Sequence, residues 1–95
     1  SYSGQATWYK PGLGACQNTH GEGELVAAIN LRQWNKDVVC GTCVQIKGFL
    51  GGTVKVKIVD LCPECNHGSL DLSPAAFKHI SLLTVGRLPI EWTWA

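Results

Sequence analysis

Hydrophobic and polar residues alternate most regularly over Val54–Ile58, where Val54, Val56 and Ile58 are separated by Lys55 and Lys57. That is the period-2 signature of a strand with one buried face, and it reads through to Val59. Val38–Lys47 is a second strand candidate, and Gly48–Gly52, with three glycines, joins the two as an antiparallel hairpin. Arg87–Trp94 alternates again, with Ile90, Trp92 and Trp94 on one face and Glu91 and Thr93 on the other. Leu25–Ile29 is an unbroken apolar run, the pattern of a buried strand. Ala6–Tyr9 is a short strand ended by a Lys-Pro-Gly turn, which sends Trp8 and Tyr9 to opposite faces. Helical signals are brief. Leu31–Trp34 has room for one turn, and Pro74–Leu82 carries Ala75, Phe77 and Ile80, with Ser73 as N-cap and Pro74 at the first helical position. Residues 14–23, which hold Cys16, read as a loop. About six strands and one or two short helices describe an all-β domain, and a small barrel is its natural form.

The chain has 95 residues, the length of one domain spanning 1–95. A domain of this size buries only about 60 to 65 % of its unfolded surface, so covalent staples would help it. Five cysteines stand beside 45 % hydrophobic residues, which describes an ordinary core with reinforcement. Eight basic and seven acidic residues give a net charge of +1 without a basic run. That pattern disfavours nucleic acid as a partner. No apolar run approaches the roughly 18 residues of a membrane span. No signal-peptide pattern stands at Ser1, as expected of a mature secreted chain with its leader removed.

The chemistry gathers between Val54 and Ser73. The central strand runs into Asp60, and Asp71 follows after a Cys-Pro-Glu-Cys turn and a glycine-containing loop, just ahead of the Ser73-Pro74 helix start. Two carboxylates are thus delivered to the ends of ordered elements. Asp71 has a plainer reading, as an acid near a helix N-terminus that favours the dipole by about 0.3 to 1 kcal/mol. Cys62-x-x-Cys65 with His67, or Cys40-x-x-Cys43, has zinc-ligand spacing, to which Cys16 or His20 could contribute. The reading preferred here is that the same cysteines are bridged, and five of them leave at least one without an intrachain partner. His20, His67 and His79 have no motif around them and are expected at the surface, which leaves a cysteine nucleophile without a base. Among the aromatics, Trp34, Phe77 and one of the C-terminal tryptophans are expected in the core. Trp8, Tyr9 and Trp92 or Trp94 are candidates for a sugar-stacking platform. Phe49-Leu50, at a glycine-flanked hairpin tip, forms an apolar pair suited to docking.

GxATWYxxGxGAC near the start, then VAAIN, CGTCVQIKG, VKVKIVDLCPEC, GSLDLSPAAFKHI and GRLPIEW, form an ordered series over nearly the whole chain. The series resembles the double-psi β-barrel of expansin domain 1, of fungal loosenins and of bacterial expansin-like proteins. VDLCPEC together with LDLSPAAF is its most specific part. Barwin and the family-45 cellulases are more distant relatives of the same fold. The resemblance implies a disulfide-stapled six-stranded double-psi β-barrel with a polar site of Thr7, Asp60 and Asp71 at one end of an open groove. Asp71, the acid of the LDLS motif, would be the residue needed for wall loosening, with no cofactor or metal. By analogy with barwin, Cys16 would pair with Cys40, leaving one bridge and one orphan among Cys43, Cys62 and Cys65.

Three departures bear on what the resemblance implies. Cys62 stands where many bacterial expansins have a tyrosine, and the chain ends at Ala95 without the second, cellulose-binding domain of two-domain expansins. Tyr9 and Lys10 stand where family-45 cellulases place a base aspartate, which disfavours hydrolysis, since an inverting hydrolase needs two carboxylates about 6.5 to 9.5 Å apart. Lytic transglycosylases of the rare lipoprotein A type have a histidine where this chain reads Ala28-Ile29-Asn30. The expectation is therefore a secreted, monomeric, non-hydrolytic protein that binds and loosens a cell-wall polysaccharide: β-glucan, chitin or peptidoglycan. A second expectation belongs to another class. Small barrels of this kind include inhibitors of papain-like cysteine proteases, for which Phe49, Leu50, Pro63 and Glu64 are the docking candidates, and a rigid stapled barrel limits the ordering cost of binding.

Overall fold

The longest strand, Thr53–Cys62 (β4), is the spine of the molecule in a computed structural model describing residues 1–95. Val54, Val56 and Ile58 point inward, as their alternation with Lys55 and Lys57 requires. It pairs antiparallel with Cys43–Gly48 (β3), with Val44 opposite Val56 and Ile46 opposite Val54, which is the hairpin expected from the glycine-rich turn. The other strands are Tyr2–Trp8 (β1), Val26–Asn30 (β2), Leu70–Leu72 (β5) and Leu88–Trp94 (β6). They close in the order β1-β5-β2-β4-β3-β6, with β1 parallel to β5, β2 parallel to β4, and antiparallel pairing elsewhere. This is the closed six-stranded barrel that the motif series implied.

Four elements differ from the sequence reading. The first strand begins at Tyr2 and ends at Trp8, longer than the expected Ala6–Tyr9, because residues 2–6 pair with β6. Val38 and Val39 belong to a helical turn, Lys36–Val39 (α1), because Asn35 caps it by accepting from the Asp37 amide at 3.3 Å. The second helix stops at Pro74–Phe77 (α2) instead of reaching Leu82, although Ser73 caps it as expected, accepting from the Ala76 amide at 3.2 Å. The next turn then tightens, with His79 and Ile80 donating to carbonyls three residues back. The sixth strand, Leu70–Leu72, is only three residues long and too short to show a period.

The barrel is filled by one cluster that includes Ala6, Ile29, Val44, Ile46, Ile58, Leu72, Phe77 and Trp92. Trp34, expected in it, is half-buried at its edge. Burying apolar area of this kind supplies about 25 cal/mol per Å², the main favourable term in folding. Trp92 also ties two crossing segments together, because its Nε1 donates to the Gly68 carbonyl at 2.8 Å. There the chain at Gly68 passes so near Ser3 and Gly4 that a Cβ on Gly68 or Gly4 would collide with the opposing backbone, and Gly68 has φ +83° besides. Two disulfides close the covalent framework, Cys16–Cys40 and Cys62–Cys65, and Cys43 is the free cysteine.

Candidate functional site

A one-residue irregularity in β4 decides where Asp60 points. Val54, Val56 and Ile58 face the barrel interior, so strict alternation would turn Asp60 inward as well. Opposite β2, however, Ala27 pairs with Ile58 while Ala28 pairs with Asp60, leaving Val59 as an unpaired bulge that reverses the phase. Asp60 therefore lies on the outer face. Asp71 reaches the same face by simple alternation between inward Leu70 and Leu72, and Thr7 does so beside inward Ala6. Ala28 pairs with Asp60 on one side and Asp71 on the other, and Asp71 pairs with Thr7. Asp60, Ala28, Asp71 and Thr7 thus form one row across β4, β2, β5 and β1. At the usual strand spacing the α-carbons of the two acids are about 9 to 10 Å apart.

The two carboxylates are in different states. Asp60 is committed to the backbone: its Oδ1 accepts from the amides of Ala15 and Leu61, each at 2.8 Å. Its Oδ2 faces the Tyr9 hydroxyl at 3.5 Å. The loop bearing Ala15 is further held by the Cys16 amide donating to Val59 at 3.3 Å and by the Cys16–Cys40 bridge. Asp71 accepts one side-chain hydrogen bond, from the Thr7 hydroxyl to Oδ1 at 2.9 Å. Burial raises the Asp71 carboxyl above the ordinary aspartate value, and the charges of Glu64 and Asp60 add to the rise, against lowering by Thr7 and Arg87. The Tyr9 hydroxyl is pushed above its ordinary value by burial first and by Asp60 and Asp71 next, so it stays protonated between the two acids. Thr7, Asp60 and Asp71 are thus brought together in one row, with Asp71 carrying fewer hydrogen bonds than Asp60.

Asp71 lies in a polar cleft of about 330 Å³, whose walls include Gln5, Glu64, Asn66, Ser69 and Arg87. Arg87 is steadied by donating to Gln5 Oε1 at 2.8 Å. Sequence reasoning left Gln5, Asn66, Ser69 and Arg87 out of the site, and nothing in their local spacing announces them. Glu64, assigned above to protease docking, stands beside Asp71 as a second cleft carboxylate. Next to the cleft on the β1–β6 face is an open hollow of about 410 Å³ lined by Ser3, Lys47, Phe49, Pro89 and Glu91 among others. The two adjoin where Gln5 pairs with Pro89.

The expected aromatic platform is not built. Trp92 is 1 % exposed and belongs to the core, because its indole both fills the barrel and satisfies the Gly68 carbonyl. Trp94 is 38 % exposed and stacks edge-on against Trp92, beyond the Tyr2 end of β1 and away from Thr7. Trp8 packs against the core and donates to the Leu83 carbonyl at 2.9 Å, on the side of β1 opposite Thr7. Of the four candidates, Tyr9 alone is at the acids. Phe49, 76 % exposed, is the aromatic side chain lining the hollow, and Leu50 beside it is 69 % exposed. Pro63 and Glu64 are exposed on the Cys62–Cys65 turn. The bridged reading of the cysteines is borne out, with Cys16 joined to Cys40 and Cys62 to Cys65. His67 and His79 are exposed as expected, but His20 is largely covered and pairs with Glu24 at 3.1 Å.

A family model described as "Lytic transglycolase", of the double-psi β-barrel type, matches residues 1–92. An "EG45-like domain containing protein" of Citrus jambhiri is 34 % identical over 97 % of this chain and 80 % of its own length. The crystal structure of a mutant Clavibacter michiganensis expansin in complex with cellohexaose superposes with a TM-score of 0.88 at 28 % identity. That match covers 99 % of this chain and 50 % of the expansin, so this chain spans about half of that relative. The Streptomyces papain inhibitor superposes with a TM-score of 0.86 at 28 % identity, covering 98 % of this chain and 92 % of the inhibitor.

Proposed function

We propose, from the premise that this chain belongs to the expansin-like double-psi β-barrel family, that it is a secreted protein that binds a cell-wall polysaccharide across the β1–β6 face and loosens it without hydrolysis. The observation that carries this reading is the asymmetry of the two acids. Asp60 is held by two amides and faces Tyr9, whereas Asp71 is half-buried, bonded by Thr7 alone, and lines a polar cleft. A carboxyl with a raised pKa can exchange hydrogen bonds with sugar hydroxyls in either protonation state. Gln5, Asn66, Ser69 and Arg87 add donors and acceptors suited to the hydroxyls of a glycan chain, and the adjoining hollow with Phe49 extends the surface to several sugar units. The relative bound to cellohexaose supports a β-linked glycan as the ligand class. Hydrolysis with inversion would need a second carboxylate free to activate water; Asp60 is held by two amides, which leaves Glu64 as the other carboxylate of the cleft, and the release of sugar is the outcome that tests it.

The test is retention on insoluble cellulose, chitin and peptidoglycan, with soluble sugar measured in the supernatant and weakening of the material measured mechanically. Retention on one polysaccharide, weakening without released sugar, and loss of weakening in Asp71→Asn with an intact fold are expected. Unchanged weakening in that variant would remove Asp71 from its assigned role. Released sugar would make the protein an enzyme, with Asp71 as its acid.

A second reading is favoured by the papain inhibitor that this chain matches over 92 % of the inhibitor's length and by the exposed Phe49-Leu50 tip. Here the protein would block a papain-like cysteine protease with its loops, leaving Asp71 uninvolved. Titration of papain separates the two: stoichiometric inhibition without polysaccharide retention would establish the inhibitor and reject the loosening protein.

A further inference from the structure

The two disulfides occupy different settings. Cys16–Cys40 joins residues 24 apart and clamps the long loop over Asp60. Cys62–Cys65 joins residues three apart, and both cysteines line the cleft that holds Asp71. Cys62 is 5 % exposed at the end of β4, whereas Cys65 is only half-buried, so Cys65 is the more exposed residue of the pair. The segment between them, Pro63-Glu64, carries the Glu64 carboxylate to the cleft.

Both flanks of this turn are anchored without the bridge. Cys62 is paired with Asn30 in the sheet. On the other side the Gly68 amide donates to Gln33 at 3.1 Å, the Gly68 carbonyl accepts from Trp92 at 2.8 Å, and the Ser69 carbonyl accepts from Asn30 at 3.1 Å. Within the turn the Cys65 amide donates to the Cys62 carbonyl at 3.3 Å, so opening the bridge leaves the Glu64 turn held by that one backbone hydrogen bond, and the two thiols stay close enough to re-form the bridge as an intramolecular step.

We propose that Cys62–Cys65 is a reversible thiol–disulfide exchange site, opened by dithiols, which sets the position of Glu64 against Asp71. The thiolate of the incoming dithiol attacks the Cys65 sulfur; the Cys62–Cys65 bond breaks and Cys62 leaves as a thiolate that takes up a proton. The second thiol then attacks the mixed disulfide and frees Cys65, so that two electrons and two protons pass to the protein and the dithiol ends as a disulfide. With the turn released, Glu64 moves off and water enters the cleft. Both changes ease the ionisation of Asp71, whose titration therefore moves downward, toward the ordinary aspartate range. The consequence for polysaccharide binding rests on the role of Asp71 proposed above; the exchange chemistry does not.

The test uses the whole chain with Cys43→Ser, which removes the free thiol and with it disulfide scrambling. The oxidised protein is exposed to graded dithiothreitol under native conditions, quenched with N-ethylmaleimide and mapped by mass. Circular dichroism follows the fold, and carbon-13 NMR follows the Asp71 carboxyl. Expected are labelling of Cys62 and Cys65 at dithiothreitol at least about tenfold below that needed for Cys16 and Cys40, an unchanged circular dichroism spectrum, recovery with oxidised glutathione, and a lower Asp71 midpoint in the reduced form. Cys62→Ala with Cys65→Ala should reproduce that midpoint. Simultaneous opening of both bridges, opening only with loss of the fold, or an Asp71 midpoint indifferent to the bridge would overturn the proposal. None of these readouts involves a glycan, so failure of the polysaccharide reading would show in the retention assay alone.

Discussion

Replacing each cystine pair by alanines should separate a framework bridge from a local one. Cys16–Cys40 closes a ring of about 25 residues containing the whole of β2. By chain entropy such a ring restrains the unfolded state by about 3.5 kcal/mol, whereas the four-residue ring of Cys62–Cys65 accounts for about 1.9 kcal/mol. The hydrogen bonds that hold the Ala15 loop survive removal of Cys16–Cys40, so the loss in that variant is mainly this entropic term. For a domain of this size 1 kcal/mol moves the melting temperature by about 4 to 8 °C, so the expected losses are about 14 to 28 °C for Cys16→Ala/Cys40→Ala and about 8 to 15 °C for Cys62→Ala/Cys65→Ala. Both are measured by calorimetry at one pH, in the Cys43→Ser background, with urea unfolding to check that the slope is unchanged. Were the short bridge to cost as much as the long one, the ring-size argument would fail, and so would the view that the cleft turn is anchored from both flanks without its disulfide.

Three further outcomes are expected. The folded state holds the Asp71 proton more tightly than the unfolded chain does, so wild-type stability falls as pH rises through the window above the ordinary aspartate value; Asp71→Asn lacks this loss, and its advantage in urea unfolding should grow from acid to neutral pH, a flat difference counting against the burial argument. Trp92→Phe keeps most of the core volume but strands the Gly68 carbonyl, for an expected loss of about 1 to 3 kcal/mol in thermal unfolding; a neutral result would mean that the crossing at Gly68 is held by its backbone packing alone. Phe49→Ser with Leu50→Ser, both exposed, should alter stability by no more than about 0.5 kcal/mol while weakening retention on the polysaccharide, and full retention would remove the Phe49 hollow from the binding face.

The legible part of the chain was that in which one residue's neighbours already decide its environment. Strands β4 and β6 announce themselves because a barrel wall has one wet and one dry face, so Val54, Val56 and Ile58 must alternate with lysines, and Ile90 and Trp92 with Glu91 and Thr93. The Ser73 cap is equally local, a hydroxyl three residues from the amide it accepts. Thr7, Asp60 and Asp71 were found through the ordered motifs around them, and the barrel brings them into one row.

What tertiary structure alone decided are the features that depend on contacts distant in sequence. The bulge at Val59 cannot be seen in β4 itself, because it exists only against the register of β2, yet it turns Asp60 from the interior to the outer face. Leu70–Leu72 is a strand because β1 and β2 flank it, and three residues carry no period of their own. The choice between Trp92 and Trp94 follows from the Gly68 crossing, where one indole finds a carbonyl to bond and the other passes the end of the barrel. The cleft itself joins Gln5, Glu64, Asp71 and Arg87 from segments far apart in the chain. Alternation and capping are short-range and so are written in the sequence; register, strand neighbours and the meeting of remote side chains arise only when the barrel closes.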